Sequence, residues 1–447
     1  MNEVNLNTVG DQMHQLITLL YPISRSITGN GVRETFEILK RYIPLSIYEV
    51  PSGTNVFDWT VPKEWNIRDG YIKNAHGEKI IDYKNSNLHV LNYSIPVHKK
   101  VPLAELKEHL YSAPEHPDWI PYRTSYYKEI WGFCMPHNQL TSLEEGEYEV
   151  FIDSTLENGS LTYAECLIPG ELSDEVLIFT HTCHPSLCND NLSGISLCVY
   201  LIRHLMQQKC RYSYRFVFAP TTIGSIVWLA KNESNVHKIK HGLVCTLVGD
   251  TSNFTYKRSR QQNAEIDQIV EYVLQSKAHK IIDFFPFGYD ERQFCSPGFN
   301  LPVGCLTRAT YGKYPEYHTS ADNLELVKAS ALQESLEVFQ EVIHVLEANK
   351  KFINQNPKGE AQLGKRGLYH MIGANSQNID HQTALLWILN ASDGSQSLLN
   401  IARKANMKFD YIKNAADQLR SCGLLKEKAR RNIHLDQKEL LEQDDEP

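Results

Sequence analysis

The sequence predicts an α/β protein with a largely parallel sheet carrying helices on both faces, a β-rich insertion and a C-terminal winged helix. Three observations carry that reading. Apolar strand-like runs alternate with helical patterns between residues 175 and 349, which is the rhythm of βαβ units. Residues 48–167 instead show short aromatic and β-branched segments split by Pro, Gly and Asn, such as Asn55-Val-Phe-Asp-Trp59-Thr-Val and Tyr148-Glu-Val-Phe-Ile152. Near the end, Phe409, Ile412, Ala416 and Leu419 recur at helical spacing and stop at Cys422-Gly423, the grammar of a helix-turn-helix followed by a wing.

The first forty residues read as two helices. One carries the apolar stripe Leu16, Leu19 and Leu20, and the other runs through Thr35, Ile38 and Leu39. Between them lies the polar break Arg25-Ser-Ile-Thr-Gly-Asn-Gly31. Both are expected to pack on the sheet, which makes the β-rich stretch an insertion. The α/β domain then covers residues 1–48 and 168–350, and the inserted domain 49–167. Strands are expected at 175–181, 213–220, 241–249 and 301–307, and helices at 193–207, 223–232, 263–275 and 322–349. A polar linker, Asn354-Gln-Asn-Pro-Lys-Gly359, precedes a winged helix over 360–435 with helices near 381–390, 396–404 and 408–421. The acidic tail 436–447 is expected to be disordered.

Bulk properties exclude several classes. Of 447 residues, 42% are apolar and 22% charged, the balance of an ordinary globular protein. No run of eighteen apolar residues occurs, so no membrane span is expected. The first residues lack a basic segment followed by an apolar core, and a cytoplasmic location is expected. A formal charge of −8 argues against wholesale nucleic-acid binding. The ten cysteines include no Cys-x-x-Cys pair, which excludes a thiolate zinc knuckle. Cys166, Cys198, Cys245 and Cys305 read as buried thiols.

The chemistry concentrates at strand ends. The apolar run Val176-Leu-Ile-Phe-Thr-His181 stops at His181, His184 follows, and Asp190 comes six residues later inside Asn-Asp-Asn before Leu-Ser-Gly194 opens a helix. Strand, polar loop and helix is how an α/β sheet presents ligands, and imidazole with carboxylate suits a metal such as zinc. Asp250 follows the run Leu243-Val-Cys-Thr-Leu-Val-Gly249, and His318 lies in Glu316-Tyr-His-Thr-Ser-Ala-Asp322 after the last strand. Asp322 is placed to cap the helix that follows. These strand ends point to one crevice.

These residues resemble the co-catalytic zinc aminopeptidase family. Asp190-Asn-Leu-Ser-Gly194 matches that family's bridging carboxylate, and Tyr317-His-Thr-Ser-Ala-Asp322 its last ligand. Spacing leaves His181 and His184 as alternatives for the first histidine. Over residues 8–430 the chain looks like the aminopeptidase-like proteins of bacterial polysaccharide-biosynthesis gene clusters. Arg25-Ser-Ile-Thr-Gly, Phe57-Asp-Trp-Thr-Val-Pro62, Tyr256-Lys-Arg-Ser-Arg260 and Gly288-Tyr-Asp-Glu-Arg292 carry that likeness. It implies a zinc-peptidase-like domain, one or two zinc ions, and ligands among His181, His184, Asp190, Asp250 and His318. Two positions depart from the pattern. Cys183 stands where the family has a carboxylate two residues after its histidine, and Pro220-Thr221-Thr222 stands where it has glutamate.

Threonine cannot serve as a general base near neutral pH. The nearest replacements are Asp290 and Glu291, and one ion is favoured over two. Tyr256, Lys257, Arg258, Arg260 and Arg292 are candidates for binding an anionic substrate end. The expected activity is amide hydrolysis on a small peptide or an amide-bearing conjugate, weakened by Thr221. The competing expectation is a degenerate peptidase scaffold that binds or regulates through its winged helix. Residues 408–421 mix Lys408, Lys413 and Arg420 with Asp410 and Asp417, which favours a protein partner or homo-oligomer over nucleic acid.

Overall fold

In the computed structural model, residues 8–368 and 376–428 are described. The chain divides into two compact units, Met1–Val342 and Ile343–Pro447.

The first unit is built on an eight-stranded sheet. Its strands are β1 (Ser46–Pro51), β2 (Ser160–Ile168), β3 (Glu175–His181), β4 (Ser213–Ala219), β5 (Ile239–Cys245), β6 (Phe254–Lys257), β7 (His279–Ile282) and β8 (Val303–Thr307). They lie in the order β1-β2-β4-β3-β5-β8-β6-β7. The central four, β4-β3-β5-β8, are mutually parallel, and antiparallel pairing is confined to β1-β2, β2-β4 and β6-β8. Every residue of β3 is buried. A strand covered on both faces needs that unbroken apolar run, and its connections must be helical crossovers.

Those crossovers are α3 (Ser193–Leu205), α4 (Ile223–Asn232) and α5 (Glu265–Leu274); α1 (Val9–Leu20) and α2 (Asn30–Leu39) precede the sheet and α6 (Ala329–Ala348) follows its last strand. Leu177, Phe179, Val217 and Val244 share one core cluster with Ile226, Val227 and Trp228 of α4. Helix α1 starts at a Thr8–Asp11 capping box and buries Met13, Leu16, Ile17 and Leu20. Leu19, expected on its apolar face, is 47% exposed, and Met13 and Ile17 complete the stripe instead. Helix α6 begins at Ala329 rather than near 322, because residues 322–328 are held in turns.

The sheet corrects the expected limits of the insertion. β1 and β2, whose residues fall largely within 49–167, are the two strands at one edge of the main sheet. Alternating β texture signals a strand but not which sheet it joins. Between them a separate four-stranded antiparallel sheet pairs residues 79–82, 64–73, 147–157 and 97–102 in that order. Ile72, Ile81, Val101, Phe133, Val150 and Ile152 form its own core.

In the second unit, α7 (Ser376–Ala391), α8 (Leu398–Ala405) and α9 (Phe409–Ser421) accompany a three-stranded sheet. Its central strand is Lys351–Asn354, flanked by Asp393–Ser397 and Leu425–Glu427. The expected linker therefore overlaps a strand, and the winged helix starts before residue 360. Short polar strands of this kind lack an apolar signal. The acidic tail 436–447 lies outside the described residues.

Candidate metal centre

β3 ends at His181. The chain then crosses to the turn 188–192, which leads into α3. That crossing gathers His181, His184 and Asp190, each buried, with one ligand atom apiece within 4.8 Å of the others. The Asp190 carboxylate is the hub. Its Oδ1 lies 2.8 Å from His181 Nε2, and its Oδ2 lies 3.1 Å from His318 Nε2 and 4.0 Å from His184 Nε2. His181 and His184 are thus not exclusive: both face the same carboxylate, together with His318.

Surrounding residues hold the hub in place. Asn189 N and Asp190 N donate to Asp322 at 2.6 and 3.0 Å. Asp322 does not cap α6; it grips the ligand turn instead. Burial pushes the Asp322 carboxyl up to about 7. Arg25, fully buried, donates from Nε to His184 O at 2.9 Å. Cys183 Sγ lies 3.3 Å from His184 Nδ1, so the residue that departs from the family pattern touches His184 rather than His181. Tyr289 stacks on His181 and donates its hydroxyl to Asp190 Oδ1 at 3.3 Å.

The electrostatics suit a cation. Burial alone would raise the Asp190 carboxyl, but the three imidazoles outweigh it and hold the group well below the usual range. Burial lowers His184 to about 3, leaving that ring neutral at pH 7. A carboxylate and an imidazole lone pair repel each other unless a proton or cation lies between them. Three imidazoles on one carboxylate form a donor set of the kind that divalent first-row ions accept.

Beyond β4, Thr221 and Thr222 occupy the turn into α4, and Thr222 has φ +61°. They do not stand alone. Thr221 Oγ1, Thr222 N and Ser225 Oγ all donate to the Asp290 carboxylate, at 2.9, 2.8 and 2.6 Å. Asp290 and Glu291 are buried, not part of an exposed polar turn. Burial raises Asp290 above the usual carboxylate range against those donors, and raises Glu291 against its pairing with Lys257. Glu291 Oε1 accepts from Lys257 Nζ at 2.5 Å, while its Oε2 has no hydrogen-bond partner among the described residues.

Other expected site residues lie elsewhere. Asp250 is outside the ligand group and accepts from Asn189 Nδ2 and Ser252 N, each at 2.6 Å. β5 stops at Cys245, and the residues beyond it carry Asp250 back onto the ligand turn. Half of the basic strip is taken up internally, because all of β6 is buried; Arg258 is half-buried and Arg260 exposed. Tyr256 donates to Asp267, Lys257 pairs with Glu291, Arg258 pairs with Glu271 and Asp283, and Arg260 donates to Asn300. Arg292 alone of the five touches the Thr221–Thr222 turn, donating to Thr222 Oγ1 at 3.0 Å.

Sequence reasoning missed Tyr122, Tyr289 and Arg25 as parts of the centre. The last two sit inside segments already singled out, Gly288-Tyr-Asp-Glu-Arg292 and Arg25-Ser-Ile-Thr-Gly. Tyr122, from the insertion, carries no local signal.

Comparison with known proteins agrees with this architecture. Residues 14–349 match the family described as a domain of unknown function (DUF4910), and residues 350–427 match a winged helix-turn-helix family. Over 424 residues the chain is 54% identical to a Clostridium acetobutylicum protein named as a candidate polysaccharide biosynthesis protein with an aminopeptidase-like domain, covering 94% of this chain and 98% of that one. A crystal structure of a candidate peptidase from Clostridium acetobutylicum has a TM-score of 0.89 at 53% identity, covering 94% and 96% of the two chains. The zinc aminopeptidase of Bacillus subtilis superposes with a TM-score of 0.56 at 12% identity, covering 76% of this chain and 94% of that one, a likeness of fold alone. The first unit is thus an aminopeptidase-like α/β scaffold, and the second is a winged helix. Among the described residues, no helix is long and apolar enough to cross a membrane.

Proposed function

We propose that this chain, which belongs to the DUF4910 family, is a zinc-dependent amide hydrolase whose ion is held by His181, His184, His318 and Asp190. The observation that carries the reading is the convergence of three imidazoles on the buried Asp190 carboxylate. When bound, zinc would supply Lewis-acid polarisation of the amide carbonyl and activation of water. One ion is favoured, since the Thr221–Thr222 turn adds no carboxylate for a second.

Asp290 is the favoured general base. Its raised proton affinity moves it toward the range a base needs at neutral pH, and the Thr221, Thr222 and Ser225 donors fix its carboxylate. Glu291 turns instead to Lys257, which suits a supporting role. Tyr289, with its hydroxyl kept protonated by burial, is a donor beside Asp190 suited to a developing oxyanion. Substrates in keeping with this site are an N-terminal residue on a short peptide or an acyl group on an amino-sugar conjugate. The polysaccharide-biosynthesis name of the Clostridium relative adds weight to the second.

The test is elemental analysis of the purified chain, with hydrolysis assays on aminoacyl anilides and N-acylated amino sugars. Absence of both zinc and hydrolysis would sink the proposal. One observation favours a second reading, a binding scaffold without catalysis: both Asp290 oxygens already accept hydrogen bonds from the turn. Zinc retained with no turnover across the panel would select it. In that case the winged helix suits a protein partner, since Lys413 is paired to Asp417 and Tyr411 is 55% exposed.

A further inference from the structure

The inserted segment reaches the metal centre. Residues 120–122 run beside residues 318–320. Tyr122 N donates to His318 O at 2.7 Å and Ser320 N donates to Ile120 O at 2.8 Å. Ile120 N also donates to Ser320 Oγ at 3.0 Å, and Pro121 forms an antiparallel bridge with Thr319. Between these contacts His318 has φ +55°. A non-glycine residue stays in that region only where its surroundings enforce it.

The side chain of Tyr122 completes the contact. It is 6% exposed, and its ring centroid lies 5.1 Å from those of both His184 and His318. Those two imidazoles are themselves 5.1 Å apart, so Tyr122 packs against both.

Resting on the metal reading above, we infer that the inserted domain is a structural part of the metal centre. The 120–122 clamp positions His318, and Tyr122 holds the His184 and His318 rings in their ligating orientation. Without the clamp, His318 lies on a loop free to rotate its ring away from Asp190. Losing a partner that orients a ligand typically weakens metal binding by roughly ten- to a hundredfold.

The experiment is Co²⁺ titration of the full-length, chelator-treated chain, read by affinity and by the visible d–d spectrum. Tyr122→Phe keeps the ring and should bind Co²⁺ within about twofold of wild type. Tyr122→Leu should weaken binding by roughly ten- to a hundredfold and alter the spectrum, approaching His318→Ala. Ser320→Ala, which removes only one clamp acceptor, should shift affinity the same way by a smaller factor. Ile152→Val, in the insertion's own core, should lower thermal stability while leaving Co²⁺ affinity unchanged. Wild-type affinity and spectrum in both Tyr122→Leu and Ser320→Ala, with binding lost in His318→Ala, would overturn the inference and leave the metal reading intact. A wild-type chain that takes up no Co²⁺ would overturn both.

Discussion

The Thr221 hydroxyl donates to the Asp290 carboxylate at 2.9 Å. Two segments 69 residues apart thus meet at one carboxylate. The turn after β4 supplies the donors, and the loop before β8 supplies the carboxylate. Asp290→Asn keeps the shape, and its amide oxygen can still accept from Thr222 N and Ser225 Oγ while the Thr221 hydroxyl turns to accept, but it removes the proposed base. Turnover should fall by roughly a hundred- to ten-thousandfold with zinc content unchanged. Undiminished turnover in Asp290→Asn would remove Asp290 from the mechanism.

Glu291 should behave differently, because it neutralises Lys257 in a dry interior. Lys257 is 9% exposed at its side chain and Glu291 0%. Breaking one side of a buried pair strands the other charge, at a cost of about 3–5 kcal/mol. Glu291→Gln should therefore lower thermal stability sharply while sparing turnover per folded molecule. The double variant Lys257→Met, Glu291→Met should recover much of the loss. Denaturant melts of the three proteins decide it. A double variant no better than Glu291→Gln would contradict the account.

How much of this was legible beforehand depended on distance along the chain. His181, His184 and Asp190 fall within ten residues at one strand end, where apolar periodicity breaks abruptly. His318 was legible through its Tyr-His-Thr surroundings. Asp290 was reached by elimination, once Thr221 failed as a base. Tyr122 was not legible: its contact with His318 depends on where the inserted sheet docks, and no local pattern encodes that. The basic strip misled for a related reason. Four cationic or aromatic residues within five positions look like a surface, yet β6 buries Tyr256 and Lys257 against Asp267 and Glu291, Arg258 is paired to Glu271 and Asp283, and only Arg260 stays exposed. The parallel strands β3, β4, β5 and β8 were legible as apolar runs in a βαβ rhythm; the edges were not, since β1 and β2 share the texture of the insertion and β6 and β7 are short.

Asp190 and Asp250 separate the ligand group from its support. Asp190→Asn and His318→Ala should each lose bound zinc, measured by elemental analysis after gel filtration. Asp250→Asn should retain it. Asp250 acts on Asn189, and its loss is expected to cost about 1–3 kcal/mol of stability through unsatisfied buried donors. Zinc lost from Asp250→Asn but kept in His318→Ala would reverse the ligand assignment.

Arg33 and Glu64 join α2 to the inserted sheet, and they should give the fold a definite acid limit. Arg33 Nη1 and Nη2 each reach a Glu64 oxygen at 2.7 Å, and Glu64 also accepts from Ser160 N of β2 at 2.8 Å. The Arg33 hydrogen bonds are the main cause lowering the Glu64 carboxyl from 4.5 to about 2. A carboxyl depressed on folding stabilises the folded state fully above its unfolded value, and loses that stabilisation as pH falls through the folded one. The contribution should be constant above about pH 5 and fade toward pH 2. Glu64→Gln lacks the charge, so the stability gap between wild type and variant should narrow across that window. Urea melts from pH 7 down to pH 2.5 measure the gap directly. A gap that stays constant over the whole range would show that Glu64 contributes by packing and neutral hydrogen bonds alone.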